Sequence, residues 1–225
     1  MKIIYPSSLA KTIDALNDAF FSGVSLPKDE RLKAAEWIAA RHGLYGSYAN
    51  MFAPTDKDLK DGIKVFTGER ITTGAGTSHV LGEEACRALN LLKVQDRGIL
   101  NALEEATAGI QERLNSYSYN SGTYCCGACT VSVWRHALVG RLRNPEELLE
   151  RGVKALKAHR LEGGKWRRFP FYYTLLALNE IEAPTALSEI KHAAPVLERS
   201  LKRSERSDIY SKRRRLLAQL LLEKI

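Results

Sequence analysis

Arg160-Leu161-Glu162-Gly163-Gly164-Lys165-Trp166-Arg167-Arg168-Phe169-Pro170 is a helix exit, a turn and a helix entry in consecutive residues. Glycine supplies the positive φ that ends a helix, and proline suits a first helical turn, where its missing N–H would have had no partner. Trp166 and Phe169 stand between them, placed to pack over the junction. Residues 171–181 are apolar nearly all round and read as an interior helix.

Working outward, Ile99, Leu103, Ala106, Ile110 and Leu114 step by four, three, four and four, one stripe on a helix. Asn144-Pro145, an N-cap before a first-turn proline, opens a helix carrying Leu148, Leu149, Val153 and Leu156. Leu216, Leu217, Leu220 and Leu221 make the last stripe. No alternating run with turn chemistry suggests a sheet. The spacing predicts ten helices near residues 8–21, 28–42, 55–66, 78–93, 96–115, 128–140, 144–159, 170–181, 185–202 and 207–224, with no strand beyond isolated bridges.

The segment around residue 163 has counterparts. Arg41-His42-Gly43-Leu44-Tyr45-Gly46-Ser47-Tyr48 runs on to Met51-Phe52-Ala53-Pro54, and Gly74-Ala75-Gly76-Thr77 and Asn120-Ser121-Gly122-Thr123-Tyr124 lie between. Glycines at 43, 76, 122 and 163 have the spacing of a helical-hairpin repeat, with Tyr45 in the position of Trp166. Helix, glycine, aromatic, aromatic-x-Pro and apolar inner helix together resemble the repeat of prenyltransferases and squalene/terpene cyclases, over residues 28–182 and most closely over 159–178. The resemblance implies an all-α fold of the α/α-toroid kind. Five hairpins in one domain, residues 1–225, would make an arc or incomplete toroid, its concave face lined by aromatic and cysteine side chains. Architecture alone carries over. The cyclases' acidic motif has no counterpart, and Asp56, Asp58 and Asp61 stand at a helix start, where carboxylates suit the macrodipole.

With 44% hydrophobic and 27% charged residues, the chain composes like a globular domain and unlike a disordered one. No stretch approaches the ~20 apolar residues of a membrane span, and the first ten residues hold no signal-peptide core. The expectation is a cytoplasmic protein whose four cysteines are thiols or ligands rather than disulfides. The net charge of +8 is concentrated in two stretches. Residues 151–170 carry Arg151, Lys154, Lys157, Arg160, Lys165, Arg167 and Arg168 against Glu162. Residues 199–215 carry Arg199, Lys202, Arg203, Arg206, Lys212, Arg213, Arg214 and Arg215 against Glu205 and Asp208. They read as solvated helix faces, or as a surface for an anionic partner.

Tyr124-Cys125-Cys126-Gly127-Ala128-Cys129 is the most unusual string. A Cys-x-x-Cys pair, Cys126 and Cys129, at a helix start suits a reactive or redox thiol, because N–H groups and the helix dipole there lower a thiol pKa. It could equally give two thiolates to zinc. On its own helix His136 lies two turns from Cys129, and His79 lies as far from Cys86, so neither pair shares an ion. Zinc would require Cys86, Cys126, Cys129 and a further ligand to converge from different hairpins, as in the zinc site of the protein prenyltransferases that the fold resembles. The reading that asks least of the chain is buried thiols at close helix contacts, with no bound metal. Cys125, Cys126, Cys129 and Cys86 form the candidate thiol site.

Residues 66–78 hold Thr67-Gly68-Glu69 and Gly74-Ala75-Gly76-Thr77-Ser78 but lack the lysine and preceding strand of a phosphate loop. Ser78 or Thr77 reads as the N-cap of the helix bearing His79, Glu83 and Glu84, with an anion at that N-terminus as the alternative. Trp134 reads as a core anchor and His136 as a possible general base. Trp166, Arg167, Arg168, Tyr172 and Tyr173 interleave cations with aromatics, as candidate ligand or anion contacts or as repeat staples. The function expected is a binding module whose concave or basic face takes a protein, peptide or anionic partner. The alternatives are an enzyme on an apolar, isoprenoid-like substrate and a nucleic-acid binder using the C-terminal basic helices.

Overall fold

The computed structural model describes residues 2–116, 121–203 and 207–225; Asn120 of the third glycine segment and Glu205 and Arg206 of the second basic stretch lie outside these. Ten helices follow along the described residues: α1 (Leu9–Phe21), α2 (Lys28–Ala39), α3 (Asp56–Asp61), α4 (Gly74–Leu92), α5 (Arg97–Ser116), α6 (Gly127–Ala137), α7 (Pro145–Lys157), α8 (Phe171–Glu180), α9 (Pro184–Leu201) and α10 (Ile209–Leu222). None is long and apolar enough to cross a membrane.

Two small antiparallel hairpins go beyond the isolated bridges expected: β1 (Ile63–Lys64) with β2 (Arg70–Ile71), and β3 (Arg160–Leu161) with β4 (Lys165–Trp166). Their turns rest on Gly68 at φ 90° and on Gly163 and Gly164 at φ 87° and 89°, conformations that reverse the chain tightly enough for the flanks to pair. α3, expected to reach residue 66, stops at Asp61 because Gly62 turns out at φ 67°.

α4 starts a turn earlier than its sequence suggested. Thr73, not Thr77 or Ser78, is the cap, its hydroxyl accepting from the Gly76 N–H at 3.2 Å. Residues 74–77 are thus helix rather than loop. Gly76 lacks the positive φ of Gly43, Gly122 and Gly163, so the glycine spacing is not a recurring loop. The carboxylate cluster has a more specific task than the macrodipole. Asp58 closes a capping box with Thr55 and also accepts from the Ser8 hydroxyl at 2.6 Å and the Leu9 N–H at 2.8 Å, tying α3 to the start of α1.

The closest helix packing joins α4 to α6. α1, α2, α3 and α5 pack on α4, α7 and α8 on α6, and α9 lies against α10, α7 and α8. The described residues form a helical bundle around a central pair, and their packing shows neither a repeat of hairpins nor a toroid. Close approach uses small residues: a Cβ on Gly82 would strike Met51, and one on Gly152 would strike Trp134. Trp134 thereby reaches the Gly122 carbonyl with its indole N–H at 2.8 Å. α6 is buried from Gly127 to Ala137 and α4 from Thr77 to Leu89, polar residues included. Those polar residues make the sites below.

Candidate metal–thiolate centre

α6 begins at Cys126, whose extended backbone (φ −150°) and side chain form the cap: its sulfur accepts from the Cys129 N–H at 3.4 Å. The next residue has to be glycine, because the Arg168 carbonyl and Phe169 press on Gly127 where a Cβ would stand. Cys125 and Cys126 are exposed and Cys129 is buried. Packing of α4 on α6 sets His79, 1% exposed, against this N-terminus. His79 Nδ1 lies 4.0 Å from Cys125 Sγ. These two atoms and Cys129 Sγ all fall within 4.8 Å of one another. Around a tetrahedral zinc, ligand atoms stand roughly 3.5–4 Å apart, so a shift of about 1 Å or less would close this set on an ion.

The imidazole is held on every side. Tyr48 stacks on it at 4.4 Å and 19°, Tyr124 meets it edge-on at 4.4 Å, and the two phenols hydrogen-bond to each other at 2.5 Å. Behind it, Nε2 lies 3.3 Å from Glu83 Oε1, and Glu83 Oε2 lies 2.7 Å from His136 Nδ1. Burial alone would raise the Glu83 pKa, but hydrogen bonds from His136 and His79 outweigh it and hold the carboxyl below its usual value. An ionised Glu83 only accepts, so Nε2 of His79 carries the proton and donates. The lone pair on Nδ1 then faces the sulfurs. A histidine ligand oriented by a buried carboxylate is the usual outer arrangement of a zinc site.

The three sulfurs divide their roles. Hydrogen bonds from the Cys125 and Cys129 thiols, then from the Cys129 and Ala128 N–H groups, pull Cys126 far below the ordinary thiol range. Donating to their neighbours raises Cys125 and Cys129. Cys86 stands outside the cluster of three; burial first and the Glu83 charge second push its thiol well up, an inert side chain in the wall of α4.

One residue along each helix a second network faces away. Arg135, 2% exposed, donates to Glu84 Oε1 at 2.9 Å and to both oxygens of Glu180, at 3.2 and 3.4 Å. Arg87 donates to Glu180 Oε1 at 2.9 Å, and both arginines reach Asn17 Oδ1 at 3.3 Å. Tyr173 gives its hydroxyl to Glu84. Glu83 and Glu84, like Arg135 and His136, are thus adjacent residues serving two sites.

The aromatic and cationic candidates are not brought together. Trp166 is buried, its indole N–H on Glu189 Oε2 at 2.9 Å, and Tyr173 is wholly buried. Arg167 and Arg168 are exposed, and Tyr172 is half-buried beneath Arg214. The segment with the look of a phosphate loop supplies its own anion to another helix: Glu69 Oε1 accepts from the Tyr172 and Tyr173 N–H groups at 2.8 and 3.1 Å, at the start of α8. Three arginines of the C-terminal basic run turn inward. Arg213 pairs with Asp14 and Asp18, Arg214 donates to the Thr67 carbonyl, and Arg215 to the Leu201 carbonyl. Sequence reasoning passed over His79 as a partner of the cysteines. Its one visible sign was Glu83 a single turn on, and the packing that sets His79 against α6 leaves no local trace. No protein-family model, no curated protein and no solved structure matches the chain.

Proposed function

We propose that His79, Cys125 and Cys129 bind one zinc ion with a solvent-facing position left open, and that this centre is the protein's working site, an enzyme's rather than a structural staple. The observation that carries the reading is the convergence of an imidazole Nδ1 and two thiols from separate helices, with Glu83 fixing the tautomer. Three protein ligands plus an open position is the pattern of catalytic zinc, and structural zinc is usually closed by four. Exposure of Cys125 beside buried His79 and Cys129 gives the open side. Here the ion would polarise a substrate oxygen or lower the pKa of bound water. Cys126 keeps its sulfur on the Cys129 N–H and caps the helix beside it.

Elemental analysis of purified protein should give about one zinc per chain, and cobalt in its place should show thiolate-to-cobalt charge-transfer absorption. His79→Ala and Cys129→Ser should each lose the ion; Cys126→Ser and Cys86→Ser should keep it. Protein that binds neither zinc nor cobalt, or that loses the ion only with Cys126, would refute this ligand set. A second reading, a Cys126–Cys129 redox pair, is favoured by an exposed thiol of lowered pKa at a helix N-terminus three residues before a buried one. A metal-free protein that forms a reversible disulfide under mild oxidant would establish it. The inward-turned arginines of α10 weigh against an oligonucleotide surface on that helix.

A further inference from the structure

The second network lines a cavity of about 270 Å³ between α1, α4, α6, α8 and α10. We propose that it binds a free α-amino acid with an apolar side chain, in zwitterionic form. The site rests on none of the thiol-cluster residues and stands or falls apart from the metal.

The polar wall has more donors than acceptors. Arg87 and Arg135 carry five N–H groups each. Against these stand six hydrogen bonds, three of them at 3.3 Å or longer. Arg87 is 7% exposed and makes two of these six bonds. A buried guanidinium this sparsely bonded is costly, and a ligand carboxylate would answer it. A ligand ammonium would answer Glu180, whose side chain is 22% exposed at the cavity's edge.

Charge selects between ligand classes. The two arginines already face two carboxylates, Glu84 and Glu180. A simple anion would leave uncompensated negative charge in a buried site, and a simple cation the reverse. A zwitterion supplies acceptors and donors while keeping the balance. The remaining wall is apolar, with Phe20, Phe66, Leu176 and Leu220 among it, and suits an aliphatic or aromatic side chain. The volume lies just below the usual span of ligand pockets, about 300–1,000 Å³, which suits a small metabolite rather than a peptide.

Isothermal titration with L-leucine, L-phenylalanine and L-methionine tests the class. At least one should bind saturably at one per chain. For L-leucine, removal of the ammonium (4-methylpentanoate) or of the carboxylate (isopentylamine) should weaken binding about tenfold or more, because each leaves buried partners unmatched. Leu220→Trp, at a half-exposed wall position, should fill the cavity and abolish binding. Glu180→Gln should weaken it about tenfold, because the ammonium loses its carboxylate partner. Circular-dichroism melts report whether each variant is folded. No saturable binding of any of the three by wild-type protein overturns the proposal. So does 4-methylpentanoate binding as tightly as leucine, or unchanged affinity in folded Leu220→Trp.

Discussion

Tyr45 and Trp166 occupy matching positions in similar strings, yet Tyr45 is 99% exposed and Trp166 4%. Spacing placed both residues in a turn, but burial depends on what lies beyond the turn, and only Trp166 has α9 and Glu189 beneath it. Trp166→Ala should cost about 3–5 kcal/mol in a urea melt, a large buried aromatic lost with its hydrogen bond. Tyr45→Ala should change stability by less than about 0.5 kcal/mol. Glu84 allows a test by acid. Burial opposes its ionisation, but Arg135, Arg87, Tyr173 and Asn17 together hold its pKa below the usual value. A depressed folded-state pKa contributes stability that is present above the unfolded value, about 4.3, and is lost as pH falls through the folded one. Glu84→Gln should therefore be less stable than wild type near neutrality by about 3 kcal/mol. That gap should narrow as melts are repeated at pH values descending below about 4.

At the scale of elements, apolar period and caps placed all ten helices close to where they lie. The errors fall where the deciding interaction is not periodic. α4 begins at Thr73 because a hydroxyl bonds an N–H three residues on, and α3 ends because Gly62 turns out. The interior rank of α4 and α6 was harder to see. Glu83, Glu84, Arg135 and His136 look like solvent-facing positions, and they are buried because each finds its partner across the helix pair, in Glu84–Arg135 and Glu83–His136. Such pairings, 51 and 53 residues apart in the chain, leave no local pattern in the sequence. The same close packing makes particular glycines indispensable. A Cβ on Gly109 of α5 would collide with the Ala49 carbonyl in the loop that carries Tyr48. Gly109→Ala should destabilise the protein by about 1–3 kcal/mol and, by displacing Tyr48 from His79, weaken cobalt binding. A variant with unchanged melt and unchanged cobalt affinity would show that this loop does not position the imidazole.

For the molecule as a whole, the arginine-rich last helix is a clasp rather than a docking surface. Arg213, 6% exposed, grips Asp14 at 2.7 and 3.1 Å and Asp18 at 3.0 Å, donates to the Phe66 carbonyl at 3.1 Å, and lies over the Phe66 ring at 4.1 Å. Arg213→Met removes one partner of a buried pair and should cost about 3–5 kcal/mol. Lys212, exposed on the same helix, should tolerate Lys212→Met within about 0.5 kcal/mol. Composition revealed that this helix is basic; that its charge points inward follows from α1, at the far end of the chain. The clasp also sets a clock on synthesis. Arg213 follows Asp14 by 199 residues, so at roughly 5–20 residues per second the ribosome makes α1 some 10–40 s before the helix that covers it. For most of that interval the nascent chain presents the Phe66 ring without Arg213 over it, a window in which a chaperone or a protease meets this protein before its fold is closed.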